Sequence, residues 1–112
     1  MTQTTFIQCD FCDSREPQWR YPCESFTVML TFFRTDGDMF TVPWGSNGDW
    51  AACNFCSELI EQEKWRELAE HGCATNPALQ LFKQFLIEEK LVEAVMEMHK
   101  NFRKLRQERQ SI

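Results

Sequence analysis

The sequence predicts an α+β fold, and three observations predict it. Two Cys-X-X-Cys pairs, Cys9/Cys12 and Cys53/Cys56, stand far apart in a chain of 112 residues. Between them a β-branched and aromatic run, Phe26–Phe33, ends in Thr35-Asp36-Gly37-Asp38 and is followed by Met39–Val42. After the second pair the apolar residues change to helical spacing and keep it almost to the C-terminus.

The elements follow in order. Asp-Gly between two apolar runs is a strong short-range hairpin signal. Pro43 and Gly45-Ser46-Asn47-Gly48-Asp49 are expected to break the second strand. A helix is predicted over about 52–71, where Ala52, Phe55, Leu59, Ile60, Trp65 and Leu68 recur at its period. Gly72 is placed as its left-handed C-terminal cap. Asn76-Pro77 restarts the pattern with an N-cap and a first-turn proline. One long helix, or two in tandem, is then expected over about 77–109. This divides the chain into a metal-stapled domain, 1–75, and a helical extension, 76–112, that packs on it, mediates association, or both.

Composition narrows the function. Ten Phe and four Trp exclude disorder, and four Gly with four Pro exclude collagen-like or low-complexity chains. No apolar run approaches the roughly 18–20 residues that span a bilayer. The first twenty residues carry Asp10, Asp13, Arg15 and Glu16 and no apolar stretch of the secretory kind, so a cytoplasmic location is expected. The net charge of −5 is uneven: residues 1–98 sum to −9 and residues 99–112 to +4. An acidic body disfavours a general duplex-DNA binder, which needs clustered Lys and Arg. The basic end, Lys100, Arg103, Lys104, Arg106 and Arg109, keeps nucleic-acid contact open as a lesser alternative.

Six cysteines in so short a chain need a reason, and without an export signal metal is a stronger one than disulfides. Zinc takes four thiolates at tetrahedral corners, and a two-residue spacer lets both thiolates of a pair reach one ion. Cys9, Cys12, Cys53 and Cys56 are therefore the candidate ligands of one structural Zn²⁺. Knuckle, hairpin, then a helix carrying the second pair is the order of a treble-clef-like zinc finger. Thiolates at a helix N-terminus gain backbone donors and the positive end of the dipole. Arg15 and Arg20 stand near enough in sequence to offset the charge of four thiolates. Cys23 and Cys73 are read as small buried apolar residues. Four sulfur ligands leave no open position for water, so catalytic zinc is not expected.

No phosphate loop, nucleophile elbow or His-Glu-X-X-His appears, and neither His71 nor His99 has an evident acid–base partner. The chain is therefore read as a non-enzyme with no small-molecule substrate. Trp19, Tyr21, Trp44, Trp50 and Trp65 suit a base-stacking platform, but in a small domain they more often form core. Leu91, Val95, Met98, Phe102 and Leu105 step by 4, 3, 4, 3, the seam of a short coiled coil. The seam either folds back on the domain or pairs with another protein or a second copy, and association is slightly favoured because a small core covers long helices poorly.

Cys-Asp-Phe-Cys, Trp19-Arg20-Tyr21-Pro22 and Gly48-Asp49-Trp50-Ala51-Ala52-Cys53-X-X-Cys56, followed by Leu59-Ile60-Glu61, resemble small bacterial and phage zinc-finger proteins, mostly of unassigned function. The resemblance covers about residues 8–70. It implies a cytoplasmic, metal-stapled domain with Cys9, Cys12, Cys53 and Cys56 as ligands, and brings no reaction with it. The function expected is a non-catalytic interaction or adaptor module, such as a phage-encoded modulator of a host complex. A nucleic-acid-binding zinc finger and a zinc–thiolate redox switch are the alternatives.

Overall fold

In a computed structural model, which describes residues 8–112, two small antiparallel sheets and four helices make an α+β fold. The tight loop Cys9–Ser14 comes first, closed by Cys9 N–H to the Ser14 carbonyl (2.7 Å) and Asp13 N–H to the Cys9 carbonyl (2.9 Å). Strand β1 (Trp19–Tyr21) follows, then the hairpin β2 (Phe26–Phe33) and β3 (Met39–Ser46), then β4 (Trp50–Ala52). Because β4 pairs with β1, Trp19 opposite Ala52 and Tyr21 opposite Trp50, the hairpin is an excursion between two paired strands. That pairing returns the chain to its starting loop just before Cys53.

The hairpin forms where Asp36-Gly37 stands. Gly37 takes φ 98°, and Arg34 N–H donates to the Asp38 carbonyl at 2.8 Å. Contrary to expectation, Pro43 does not end β3; it pairs opposite Met29 within the strand. A two-stranded sheet leaves β3 an open outer edge, where a residue without an N–H costs no ladder bond.

The helix expected over 52–71 is two helices, α1 (Asn54–Glu61) and α2 (Trp65–Thr75). They part at Gln62-Glu63-Lys64, where Glu63 adopts φ 57°. Gly72 is not a cap: it is buried inside α2, which runs on to Thr75. A Cβ there would lie 2.8 Å from the Phe11 carbonyl oxygen, so glycine lets α2 cross the cysteine loop closely.

Asn76 caps α3 (Pro77–Phe82) as read from the sequence, its side chain accepting from Ala78 N–H at 2.9 Å. The continuous helix over 77–109 is corrected, however, to α3 and α4 (Glu88–Leu105) with an irregular turn between them. Lys83–Ile87 holds no breaker, but its backbone bonds to the end of β2 instead. Thr35 N–H reaches the Phe85 carbonyl at 3.0 Å, and Ile87 N–H the Phe33 carbonyl at 2.8 Å. Beyond Leu105 the chain turns extended, and β5 (Gln110–Ser111) adds to the free side of β1.

Helix α4 buries Leu91, Val92, Ala94, Val95, His99 and Phe102 on one face. Leu91, Val92 and Val95 join Ala69, Cys73 and Leu86 in one core cluster. Phe102 enters the other, among Phe11, Tyr21, Trp50 and the cysteines. Of the seam read from the sequence, Leu91, Val95 and Phe102 are buried and Met98 and Leu105 half-buried, so this face lies against the chain's own core. The extension thus shares both cores with residues 8–75. Of the apolar side chains of helix α3 and the turn after it, Leu86 is buried and Leu79 half-buried, while Leu81, Phe82, Phe85 and Ile87 stay exposed.

Candidate metal centre

Three segments bring the four cysteines together. Asp10 N–H donates to the Ala51 carbonyl (2.9 Å), and the Asp10 carboxylate accepts from Ala51 N–H (2.7 Å), which clips the first loop to β4. Gln18 N–H donates to the Ala52 carbonyl at 2.9 Å and fastens the chain after that loop. β4 runs directly into Cys53, the N-cap of α1, and Cys56 follows in the first turn.

All four cysteines are buried, and their Sγ atoms lie within 4.8 Å of one another. Cys12 Sγ and Cys53 Sγ are 3.7 Å apart. A tetrahedral cation with metal–sulfur bonds of about 2.3 Å sets sulfur–sulfur edges of about 3.8 Å. The cluster therefore has the size of a four-sulfur metal site, and it can hold a metal ion such as zinc.

Protonation points the same way. Hydrogen bonds from Cys56, then Cys9, hold the Cys53 thiol far below its ordinary range. Sharing that charge pushes Cys9 up to about 12 and Cys56 up as well, each first through its bond to Cys53. A divalent cation bound at this group would let the remaining thiols ionise as well. Backbone donors help: Phe11 N–H points at Cys9 Sγ (3.4 Å) and Cys56 N–H at Cys53 Sγ (3.5 Å). Arg20 does not serve the cluster, because its guanidinium pairs with Asp49 at 2.6 Å and Arg15 is exposed.

The two Cys-X-Phe-Cys segments are alike in sequence and opposite in use. Phe11 is 3% exposed and meets the rings of Trp50, His99 and Phe102. Phe55 is 57% exposed and lies over His71, 4.5 Å between ring centroids. Cys23 and Cys73 are buried, free and outside the four-sulfur group. Burial is the main reason the Cys73 thiol rises to about 11.

The basic end was set out as a set of candidate nucleic-acid contacts; the structure turns much of it inward. Arg103 lies over Trp65 and reaches Glu63 (3.4 Å); Arg106 lies over Tyr21 and reaches Glu61 (3.5 Å). Arg109 covers Trp19 at 3.9 Å and donates to the Ser57 hydroxyl at 2.7 Å. Lys100 approaches Glu97, three residues earlier on the same helix, and Lys104 is exposed. Only the arginine spacing, every third residue, hinted at this ladder, and its partners Trp19, Tyr21, Glu61 and Trp65 are scattered through the sequence.

Tyr21, beneath Arg106, is fully buried, and its hydroxyl meets Ser57 and Glu61, each at 2.8 Å. Burial first, then Glu61, raises it to about 12. The aromatic residues considered for a stacking platform divide similarly: Tyr21 and Trp50 are core, and Trp19, Trp44 and Trp65 pack half-buried against it. No helix among the described residues is long and apolar enough to cross a membrane. No family model matches this sequence, and no curated protein or solved structure is detectably similar to it.

Proposed function

We propose that this chain is a non-catalytic interaction module of the cytoplasm, built on one structural zinc in a treble-clef-like finger. The observation that carries the reading is the group of four buried cysteine sulfurs within 4.8 Å of one another, with Cys53 capping the helix that holds Cys56. Four thiolates complete a zinc shell, so the ion has no position left for a substrate or a reactive water. Burial of all four sulfurs favours a structural site over a redox switch, which needs thiolates within an oxidant's reach.

Partner contact is assigned to the apolar side chains that the fold leaves outside. Met29, Met39, Phe40 and Val42 are exposed on the hairpin, and Leu81, Phe82, Phe85 and Ile87 on α3 and the turn after it. Exposed apolar groups on a small acidic domain suit a partner protein better than nucleic acid, and the inward arginine ladder weakens the nucleic-acid alternative further. The resemblance to small bacterial and phage proteins, with the chain's size and acidity, makes a phage-encoded modulator of a host complex the setting we favour.

The test is capture of bacterial host proteins on the immobilised zinc-loaded chain, beside a Phe40→Ser/Phe82→Ser variant of equal zinc content. A protein held by the wild type and lost by the variant is the expected result. Equal capture by both, or release of nucleic acid alone, would contradict the assignment.

A further inference from the structure

Beside the metal centre, the hairpin, the cysteine loop and the helices leave a cavity of about 530 Å³. Its size falls within the range of about 300–1,000 Å³ typical of small-molecule sites. β2 packs on α4, and residues of both, together with Trp44 of β3, line the space. Phe11, Phe32, Trp44, Trp50 and Phe82 give it aromatic walls, and Leu30, Val95 and Met98 add aliphatic surface. His99, 4% exposed, lines it too, and its Nδ1 has no hydrogen-bond partner among the described residues.

The charged residues in the lining are all of one sign. Asp10 and Asp49 are there, and no Lys or Arg is. Asp49 is matched by Arg20, and its other oxygen accepts from Cys23 N–H. Asp10 has no ion-pair partner among the described residues; one oxygen accepts from Ala51 N–H, which leaves the second available. An anion entering this cavity would lose its water shell and meet carboxylates. A cation would meet aromatic side chains and, at Asp10, an exposed carboxylate with no ion-pair partner among the described residues, the two kinds of group that attract ammonium ions. The acidic body, −9 over residues 1–98, draws cations toward it as well.

We propose that this cavity binds an organic ammonium ion with an apolar, preferably aromatic, body, seated against Trp44 and Trp50 with its charge toward Asp10. The proposal needs no partner protein; Val42 and Phe82 line the cavity and also belong to the exposed surface assigned to partner contact, so the variants that test it, at Asp10 and Trp44, lie outside that surface. Its residues come from five separate segments, so no motif announces it, and the expectation of no small-molecule substrate rests on motifs alone.

The experiment titrates the zinc-loaded chain with 2-phenylethylammonium, 2-phenylethanol and phenylacetate, following tryptophan fluorescence and calorimetric heat. The three probes share a ring and differ in charge. The ammonium should bind saturably and about tenfold more tightly than the alcohol, and the carboxylate not at all. Asp10→Asn keeps an acceptor for Ala51 N–H; it should remove the preference for the cation and leave the alcohol's affinity in place. Trp44→Leu, farther from the metal loop, should weaken the ammonium and the alcohol alike. A lysine-centred peptide binding more tightly than the free amine would assign the cation to a partner's side chain, and the reverse order to a free small molecule. No saturable binding of the ammonium, equal affinity for the alcohol, or binding of phenylacetate would overturn the proposal.

Discussion

At Gly72, α2 passes the cysteine loop so closely that a Cβ would stand 2.8 Å from a backbone oxygen of Phe11. Backbone yields less readily than a side-chain tip, so Gly72→Ala should destabilise the fold by about 1–3 kcal/mol, read from urea unfolding. An unchanged midpoint would mean that the crossing has room for a methyl group. His99 makes a second single-residue prediction. Burial lowers its pKa from 6.5 to about 3, so the folded chain holds it neutral where the unfolded chain takes up a proton. Between those values the unfolded state binds more protons, and stability falls as the pH drops below about 6.5. From pH 7 to pH 5 the wild type should lose about 2 kcal/mol more than His99→Gln, with acid effects on the cysteines common to both. Equal losses would show that His99 is protonated in the folded state.

Among the elements, the C-terminal segment departs furthest from its sequence reading. The sequence places its arginines on a helix running to about 109, as candidate nucleic-acid contacts, yet the chain leaves the helix after Leu105 and lies as β5 along β1. Arg109→Ala removes a guanidinium over Trp19 and a hydrogen bond to Ser57; it should cost about 1–2 kcal/mol, and Lys in its place should recover only part. Full recovery by Lys would mean that charge alone matters there. The hairpin was legible because Asp36-Gly37 sits between two strand-forming runs, and α3 because Asn76-Pro77 marks its start. Strands β1 and β4, three residues each, were not, since so short a stretch has no period to read. The break at Lys83–Ile87 was equally hidden: it arises from bonds to β2 that local propensity does not encode.

Taken as one molecule, the chain closes around Phe102, whose ring is fully buried and meets Phe11, Tyr21 and Trp50. The heptad-like spacing of Leu91, Val95 and Phe102 was read correctly as an apolar face, but spacing cannot tell which surface covers it, and here the rest of the chain does. Phe102→Ala should therefore cost about 3–5 kcal/mol in stability, with no change in oligomeric mass by light scattering. A stable variant whose mass has halved would restore the association reading. The four cysteines were the most legible feature of all, because their spacing is a statement about chemistry that survives every uncertainty about strand and helix limits.

X-ray absorption at the zinc edge, with metal analysis of the same sample, tests the proposal that these four sulfurs hold one structural zinc. One zinc per chain with four sulfur neighbours at about 2.3 Å is expected, and loss of both metal and fold in Cys53→Ser. A wild-type chain that is folded without metal, or a zinc shell containing oxygen or nitrogen, would contradict it.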